Sequence, residues 1–394
     1  MEQLRIGMIG VGGRGGLWRH WHQPEKGRSQ IVAGADISET ALNRFSSEHG
    51  GDPFATLDYR RLLERRDVDA IAVCSPDFCH EEHAVAVLES GKHLFLEKPM
   101  AISIAGCDRI LAAWRASNRR MMIGFNMRYM NIFRVMKEVI DSGAIGSLKA
   151  VWVRHFVGHG GDFYYHDWHA NRDNTNSLFL QKGSHDIDMI HWLSGSYTRR
   201  VCAMGRLDYF GGSYPNELTC DVCPDAATCV EAQPDSPRRQ CAFRSEVDVE
   251  DNQMAMLELD NGVQAAYLQC HFTPDYHRNY VFIGTEGRLE NSEPDMKVWL
   301  KTRRSNTYRE LADREYTIKP ARGGHGGADP VICEDFLDMV LDGREPLADP
   351  IAGRMSVAAG CAAAQSLREG SRPVEVPPIP DGACAPPAGT GNHS

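Results

Sequence analysis

An α/β fold with a doubly wound parallel sheet is predicted for the first third of the chain. The rest is predicted as an α+β domain with a large, mostly antiparallel, open-faced sheet. Three observations support this. Short apolar runs alternate with helix-patterned segments up to about residue 126, a glycine-rich turn closes the first run, and beyond residue 147 long alternating segments carry β-branched and aromatic residues. Strand–helix alternation implies right-handed crossovers and parallel pairing, whereas period-two alternation marks strands with one covered face.

The first strand, from Leu4, breaks into Gly10-Val11-Gly12-Gly13-Arg14-Gly15 and then a helix. This Gly-x-Gly-x-x-Gly spacing suits a dinucleotide. Gly10 permits the tight turn, Gly12 admits backbone amides to a pyrophosphate, and Gly15 lets helix and strand pack closely. The free N–H groups and dipole of the helix start favour phosphate. A second strand, Ile31–Ala35, ends at Asp36. Its carboxylate can accept ribose hydroxyls and repels a 2′-phosphate, which favours NAD over NADP. A glycine-rich turn beside an ordinary surface aspartate is the bland alternative, and the strand–turn–helix–strand context argues against it.

Ser38 caps the next helix, and Asp58–Arg65 reads as another. The strand Asp69–Cys74 is followed by Ser75-Pro76-Asp77-Phe78-Cys79-His80, the strand His93–Leu96 by Glu97-Lys98-Pro99, and the strand Met121–Phe125 by Asn126. Ligands of such sheets lie beyond these strand ends. A first domain over 1–126 and a second over 127–376 follow. The second contains strands at Leu148–Phe156, Arg200–Leu207, Asp251–Leu259, Val263–His271, Tyr280–Gly284 and Val298–Lys301, with helices at Ser184–Leu193, Pro330–Leu341 and Gly353–Arg368. The Pro/Gly/Ala-rich tail 377–394 is expected to be disordered.

At 394 residues the chain has room for two real cores. A net charge of −10 gives no attraction to nucleic acid or anionic membrane. No signal peptide or bilayer-length apolar run is evident, so a cytoplasmic location is expected. Most of the 12 cysteines stand singly in apolar segments, as reduced thiols do. Cys220-x2-Cys223-x5-Cys229-x11-Cys241 is different: it lies in a Pro- and Asp-rich insert, 215–245. Four thiolates at this spacing suit one structural zinc; free thiols, a disulfide pair or an iron–sulfur cluster are the alternatives.

These separated segments together resemble the Gfo/Idh/MocA superfamily, relatives of glucose–fructose oxidoreductase and inositol dehydrogenase. The matching residues are the Gly10–Gly15 turn, Cys74–His80, Glu97-Lys98-Pro99, Gly183–Trp192 and Asp349–Arg354. The resemblance implies an NAD-binding Rossmann domain, with Arg14, Ser75, Pro76, His80, Glu97, Asn126 and Trp168 joining the glycines at the cofactor. It also implies a sheet that carries a sugar pocket, and homodimers or homotetramers formed through the open sheet face. Lys98, beside the nicotinamide on a cis bond to Pro99, would steady alkoxide charge. His185, at the start of a helix, is the candidate base, because its ordinary pKa suits proton transfer near neutrality. Tyr164 is a third catalytic candidate.

Asp188 lies one helical turn beyond His185 and can bind substrate hydroxyls. Many dehydrogenases of the superfamily carry Asp four residues before this His; Gln181 stands there, followed by Lys182, which suits an anionic substrate group. The dense stretch from His155 to Arg172 suits a carbohydrate pocket wall, with Trp168, His169 and Arg172 as candidate contacts. Two activities are compatible with these residues. One is NAD-dependent oxidation of a ring hydroxyl of a sugar, glycoside or cyclitol. The other is NAD-dependent glycoside hydrolysis by transient oxidation, elimination, water addition and re-reduction.

Overall fold

The computed structural model describes residues 3–158, 161, 163–303 and 312–380. Of the tail expected to be disordered, 381–394 lie outside the described residues. The chain divides into two compact units. One holds the residues up to Met130 together with Ala321–Arg354; the other holds Asn131–Pro320 and Met355–Pro378.

The first unit is built on a six-stranded sheet in the order β3-β2-β1-β4-β5-β6. The strands are β1 Leu4–Ile9, β2 Ser29–Ala35, β3 Phe54–Thr56, β4 Ala70–Val73, β5 His93–Leu96 and β6 Met121–Ile123. Every pairing is parallel. β4 is buried along its whole length, because helices cover both faces of a parallel sheet. The helix Glu39–His49 starts where Ser38 Oγ accepts the Ala41 N–H and stops at left-handed Gly50.

The domain boundary differs from the sequence expectation. Residues 321–354, expected in the second domain, pack on the first sheet. The helix Gly324–Leu341 buries Ile332, Cys333, Phe336 and Leu337 against Trp21 and Phe95. The Trp21 indole N–H donates to the Cys333 carbonyl at 3.1 Å. An apolar helix face does not reveal which of two cores it will join, and no local signal marks this return.

The second unit holds a nine-stranded sheet, β14-β13-β12-β11-β7-β10-β9-β8-β15. Its central strands are β7 Leu148–Gly158, β8 Thr198–Arg206, β9 Asn252–Leu259, β10 Gln264–Thr273 and β11 His277–Gly284. β12 Gly287–Ser292, β13 Lys297–Thr302, β14 Arg314–Thr317 and β15 Val374–Glu375 complete it. Pairing is antiparallel except between β7 and β10. β3, β12, β14, β15 and the helix Asn131–Asp141 have no counterpart among the sequence expectations. The strands among them are short or rich in charged residues, so their alternation is weak. On the central strands Val153, His155, Tyr267 and Tyr280 are buried, while Trp152, Met204, Met254 and Met256 are exposed. One sheet face is therefore covered and the other open.

Between β8 and β9 the chain runs through turns and isolated bridges such as Thr219↔Gln240. Asp251 ties the start of this insert to its end by accepting the Asp208, Tyr209 and Phe210 N–H groups at 2.8–2.9 Å. Among the described residues no helix is long and apolar enough to cross a membrane.

Candidate functional site

The glycine turn lies at the C-terminal edge of the first sheet. Gly10 has φ +84°, and a Cβ there would lie 2.8 Å from the Cys74 carbonyl. A Cβ at Gly15 would fall 2.1 Å from the Gly10 carbonyl oxygen. Side chains are thus excluded where β1 and β4 approach each other. Among the described residues, chain neighbours aside, Gly13 has no atom within 4 Å of its missing Cβ, and the nearest to Gly12 is at 3.8 Å. This bare, open backbone is what a pyrophosphate cradle requires. Asp36 Oδ2 accepts the Val11 N–H at 2.9 Å and the Gly12 N–H at 3.3 Å, and Oδ1 accepts the Ser38 N–H at 2.9 Å. The residues present therefore fit a dinucleotide with an unphosphorylated ribose.

Lys98 follows β5, and its peptide bond to Pro99 is cis. Glu97 is buried; it accepts the Lys98 N–H at 3.1 Å and the Arg14 Nε–H at 2.6 Å. Space for its carboxylate exists because residue 124 is glycine: a Cβ there would meet Glu97 at 2.8 Å. Arg14 Nη1 donates to Asp329 Oδ1 at 2.8 Å, and His325 Nδ1 contacts Asp329 Oδ2 at 2.9 Å. Burial disfavours the Arg14 cation, but Glu97 and Asp329 outweigh it and raise its pKa. Sequence reasoning missed Asp329 and His325, which arrive with the returning segment.

His80 occupies a different place from the cofactor role expected of it. It is buried, with Nδ1 2.7 Å from the Pro99 carbonyl and Nε2 2.9 Å from the Ser75 carbonyl. It braces two strand-end turns from within. The Ser75 hydroxyl is 2.9 Å from His83 Nδ1, and Asn126 is buried at the start of the turn after β6.

In the second unit, the polar centre is Asp186, beside the expected base His185. It is fully buried, accepts hydrogen bonds from three groups and is ion-paired with a fourth. His155 Nδ1 and the Tyr267 hydroxyl donate to Oδ2 at 2.8 and 2.7 Å; the Tyr280 hydroxyl donates to Oδ1, and Arg278 Nε lies 3.3 Å from the same atom. Burial opposes the charge, but Arg278 and His155 hold the carboxyl well below the usual range. Burial, reinforced by Arg278, pushes the His155 pKa down. The ring is then the neutral tautomer that donates from Nδ1 and accepts the Arg278 Nη2–H at Nε2, 3.2 Å away. Register explains the convergence. His155 pairs with Arg278 across β7 and β11, Tyr280 lies two residues on, and Tyr267 faces Val153 from β10. All therefore share the covered face.

His185 itself is half-buried, near the start of the helix Gly183–Ser194, and Asp188 is buried on that helix. Lys182 Nζ lies 5.1 Å from the Tyr164 ring centroid and 5.8 Å from that of Tyr276. Tyr164 is buried, stacked on Phe163 at 4.5 Å. Trp168 stacks on His169 at 3.6 Å, and the His169 ring pairs with Asp167. The Arg172 guanidinium donates to Glu250 at 2.7 Å, in a cluster with Arg368. His271 was also missed: it is buried, and neither ring nitrogen has a hydrogen-bond partner among the described residues.

The four insert cysteines line one small pocket and form no disulfide. Among the described residues no group of three or more His, Cys, Asp or Glu side chains is arranged to hold a metal ion.

A glycine turn and an acidic strand end on a parallel sheet define a dinucleotide-binding class of protein. Residues 4–125 match the oxidoreductase family with an NAD-binding Rossmann fold, and 133–290 match the GFO/IDH/MocA C-terminal domain. The chain belongs to the Gfo/Idh/MocA family. It is 26% identical over 380 residues to the inositol 2-dehydrogenase of Gluconacetobacter diazotrophicus, covering 95% of this chain and 97% of that one. It is 33% identical over 193 residues to the inositol 2-dehydrogenase of Ralstonia nicotianae, covering 49% and 55% of the two chains. The crystal structure of the WlbA dehydrogenase from Bordetella pertussis, in complex with NADH and UDP-GlcNAcA, matches the fold with a TM-score of 0.72 at 19% identity, over 95% of this chain and 99% of that one.

Proposed function

We propose that this protein is an NAD-dependent dehydrogenase that oxidises a ring hydroxyl-bearing carbon of a sugar, glycoside or cyclitol. The observation that carries the reading is Asp36 bonded to the Val11 and Gly12 N–H groups at a sheet edge where Lys98 also emerges. The inositol 2-dehydrogenases it resembles support a polyhydroxylated ring as substrate. NAD, when bound, supplies the hydride acceptor. The chain's own groups do the rest. The glycine turn and Asp36 hold the dinucleotide, and the Lys98 ammonium steadies negative charge developing on the substrate oxygen. His185 takes the hydroxyl proton on a ring nitrogen. Tyr164, Trp168, His169, Lys182 and Asp188 bind the ring and its hydroxyls.

Incubation with NAD and a panel of inositols, aldoses and glycosides tests this. NADH should accumulate with at least one ring polyol, and Lys98→Ala and His185→Ala should abolish it while NAD still binds. Release of nitrophenol from nitrophenyl glycosides without NADH accumulation would overturn net oxidation in favour of the hydrolytic cycle.

A second copy of this chain is the proposed occupant of the open sheet face. Trp152, Ala266 and Met256 are cross-strand neighbours there, with Met254 and Met204 in the next row, all solvent-facing.

A further inference from the structure

We propose that Cys220, Cys223, Cys229 and Cys241 bind one Zn2+ as four thiolates, and that this ion fixes the insert bracing the Tyr164–His169 loop. All four cysteines face one pocket, whose other walls are Ala226, Glu231, Ala232, Ala242 and Phe243. The backbone brings them there in two pairs. Cys220 and Cys241 flank the Thr219↔Gln240 bridge, where the Cys220 N–H donates to the Arg239 carbonyl at 2.7 Å and the Cys241 N–H to the Leu218 carbonyl at 2.8 Å. Tight turns carry Cys223 and Cys229 back: the Ala226 N–H donates to the Cys223 carbonyl at 3.2 Å, and the Cys229 N–H to the Asp225 carbonyl at 3.0 Å.

The Gln233 N–H faces Cys220 and the Phe243 N–H faces Cys241. The insert also lacks regular structure: no helix and no strand of a sheet falls between Leu207 and Asp251. A connection of this length without elements needs another source of order. Binding pulls the four sulfurs inward to about 2.3 Å from the ion, and each thiol gives its proton to solvent as its Zn–S bond forms. No ligand position then remains for catalysis.

The insert matters because of what leans on it. The Arg244 guanidinium donates to the Tyr165 carbonyl at 2.6 Å and the Asp167 carbonyl at 2.9 Å. Phe210 stacks on Tyr165 at 4.0 Å, and the Gln240 N–H donates to the His166 carbonyl at 3.2 Å. Only this link to the sugar-facing loop rests on the proposed dehydrogenase reading; the metal itself does not.

Metal analysis of the full chain, purified without chelator, tests the proposal. About one zinc per chain is expected, and it should fall to background in Cys223→Ser/Cys229→Ser. Because that variant can misfold, Co2+ is also added to the chelator-treated native chain. A thiolate-to-cobalt charge-transfer band with tetrahedral d–d bands supports the site whether or not any sugar is oxidised. Absent zinc with no cobalt spectrum, bound iron, or disulfides joining these cysteines would each overturn it.

Discussion

His155 Nδ1 lies 2.8 Å from Asp186 Oδ2, and both side chains are wholly excluded from solvent. The pair sits in one closed group with Arg278, Tyr267 and Tyr280, next in sequence to the proposed base. Within it the carboxylate has three hydrogen-bond donors and the guanidinium has its counter-charge, so removing any member leaves a buried polar group exposed to an apolar surround.

Asp186→Ala should therefore destabilise the protein by about 3–5 kcal/mol, because the Arg278 charge is left buried and unpaired. Urea unfolding of the variant, compared with the native chain, measures this. Asp186→Asn keeps the shape but not the charge and should also destabilise. A loss within ±0.5 kcal/mol in both would mean the group is not the structural centre described.

Acid should weaken the fold in two stages. Burial lowers the pKa of His155 and His271 below the ordinary 6.5 or so. Their stabilising effect is fully present above that value and lost as pH falls towards the folded pKa, at about 1.4 kcal/mol per pH unit per proton taken up. Asp186, whose folded pKa is depressed, adds a further loss below about pH 4. Urea midpoints should fall between pH 7.5 and 5. His271→Leu should make that slope shallower without destabilising the protein at pH 7.5, since the ring makes no hydrogen bond among the described residues.

Gly15→Ala should both destabilise and abolish NAD binding, because its methyl would sit 2.1 Å from the Gly10 carbonyl oxygen. Isothermal titration with NAD and thermal unfolding give the two readouts. Gly50→Ala, in a helix cap far from the turn in sequence, is the control that should leave NAD affinity unchanged.

Asp36→Ser should raise the KM for NAD by about tenfold, the usual effect of losing a charge-assisted hydrogen bond. It should also narrow discrimination against NADP by removing the carboxylate that repels a 2′-phosphate. The ratio of kcat/KM values for the two dinucleotides checks this.

Met256→Glu places a charge in the exposed apolar row of the second sheet. Light scattering should show a smaller species than the native chain at equal concentration. An unchanged mass would remove the open face as the contact between copies.

Where the chemistry lies in consecutive residues, the sequence by itself determined it. The Gly10–Gly15 turn, the strand ends bearing Asp36 and Glu97-Lys98-Pro99, and the family they point to were all legible, because a turn and its neighbouring strand constrain each other locally. The tertiary structure alone decided the rest. Asp186 became the buried centre only when β7, β10 and β11 presented His155, Tyr267, Arg278 and Tyr280 to one helix. Register across a sheet sets that meeting, and no short-range pattern encodes it. The return of the helix Gly324–Leu341 to the first core was hidden for a similar reason: an apolar helix face declares that it will be buried, but packing partners far away in sequence settle where.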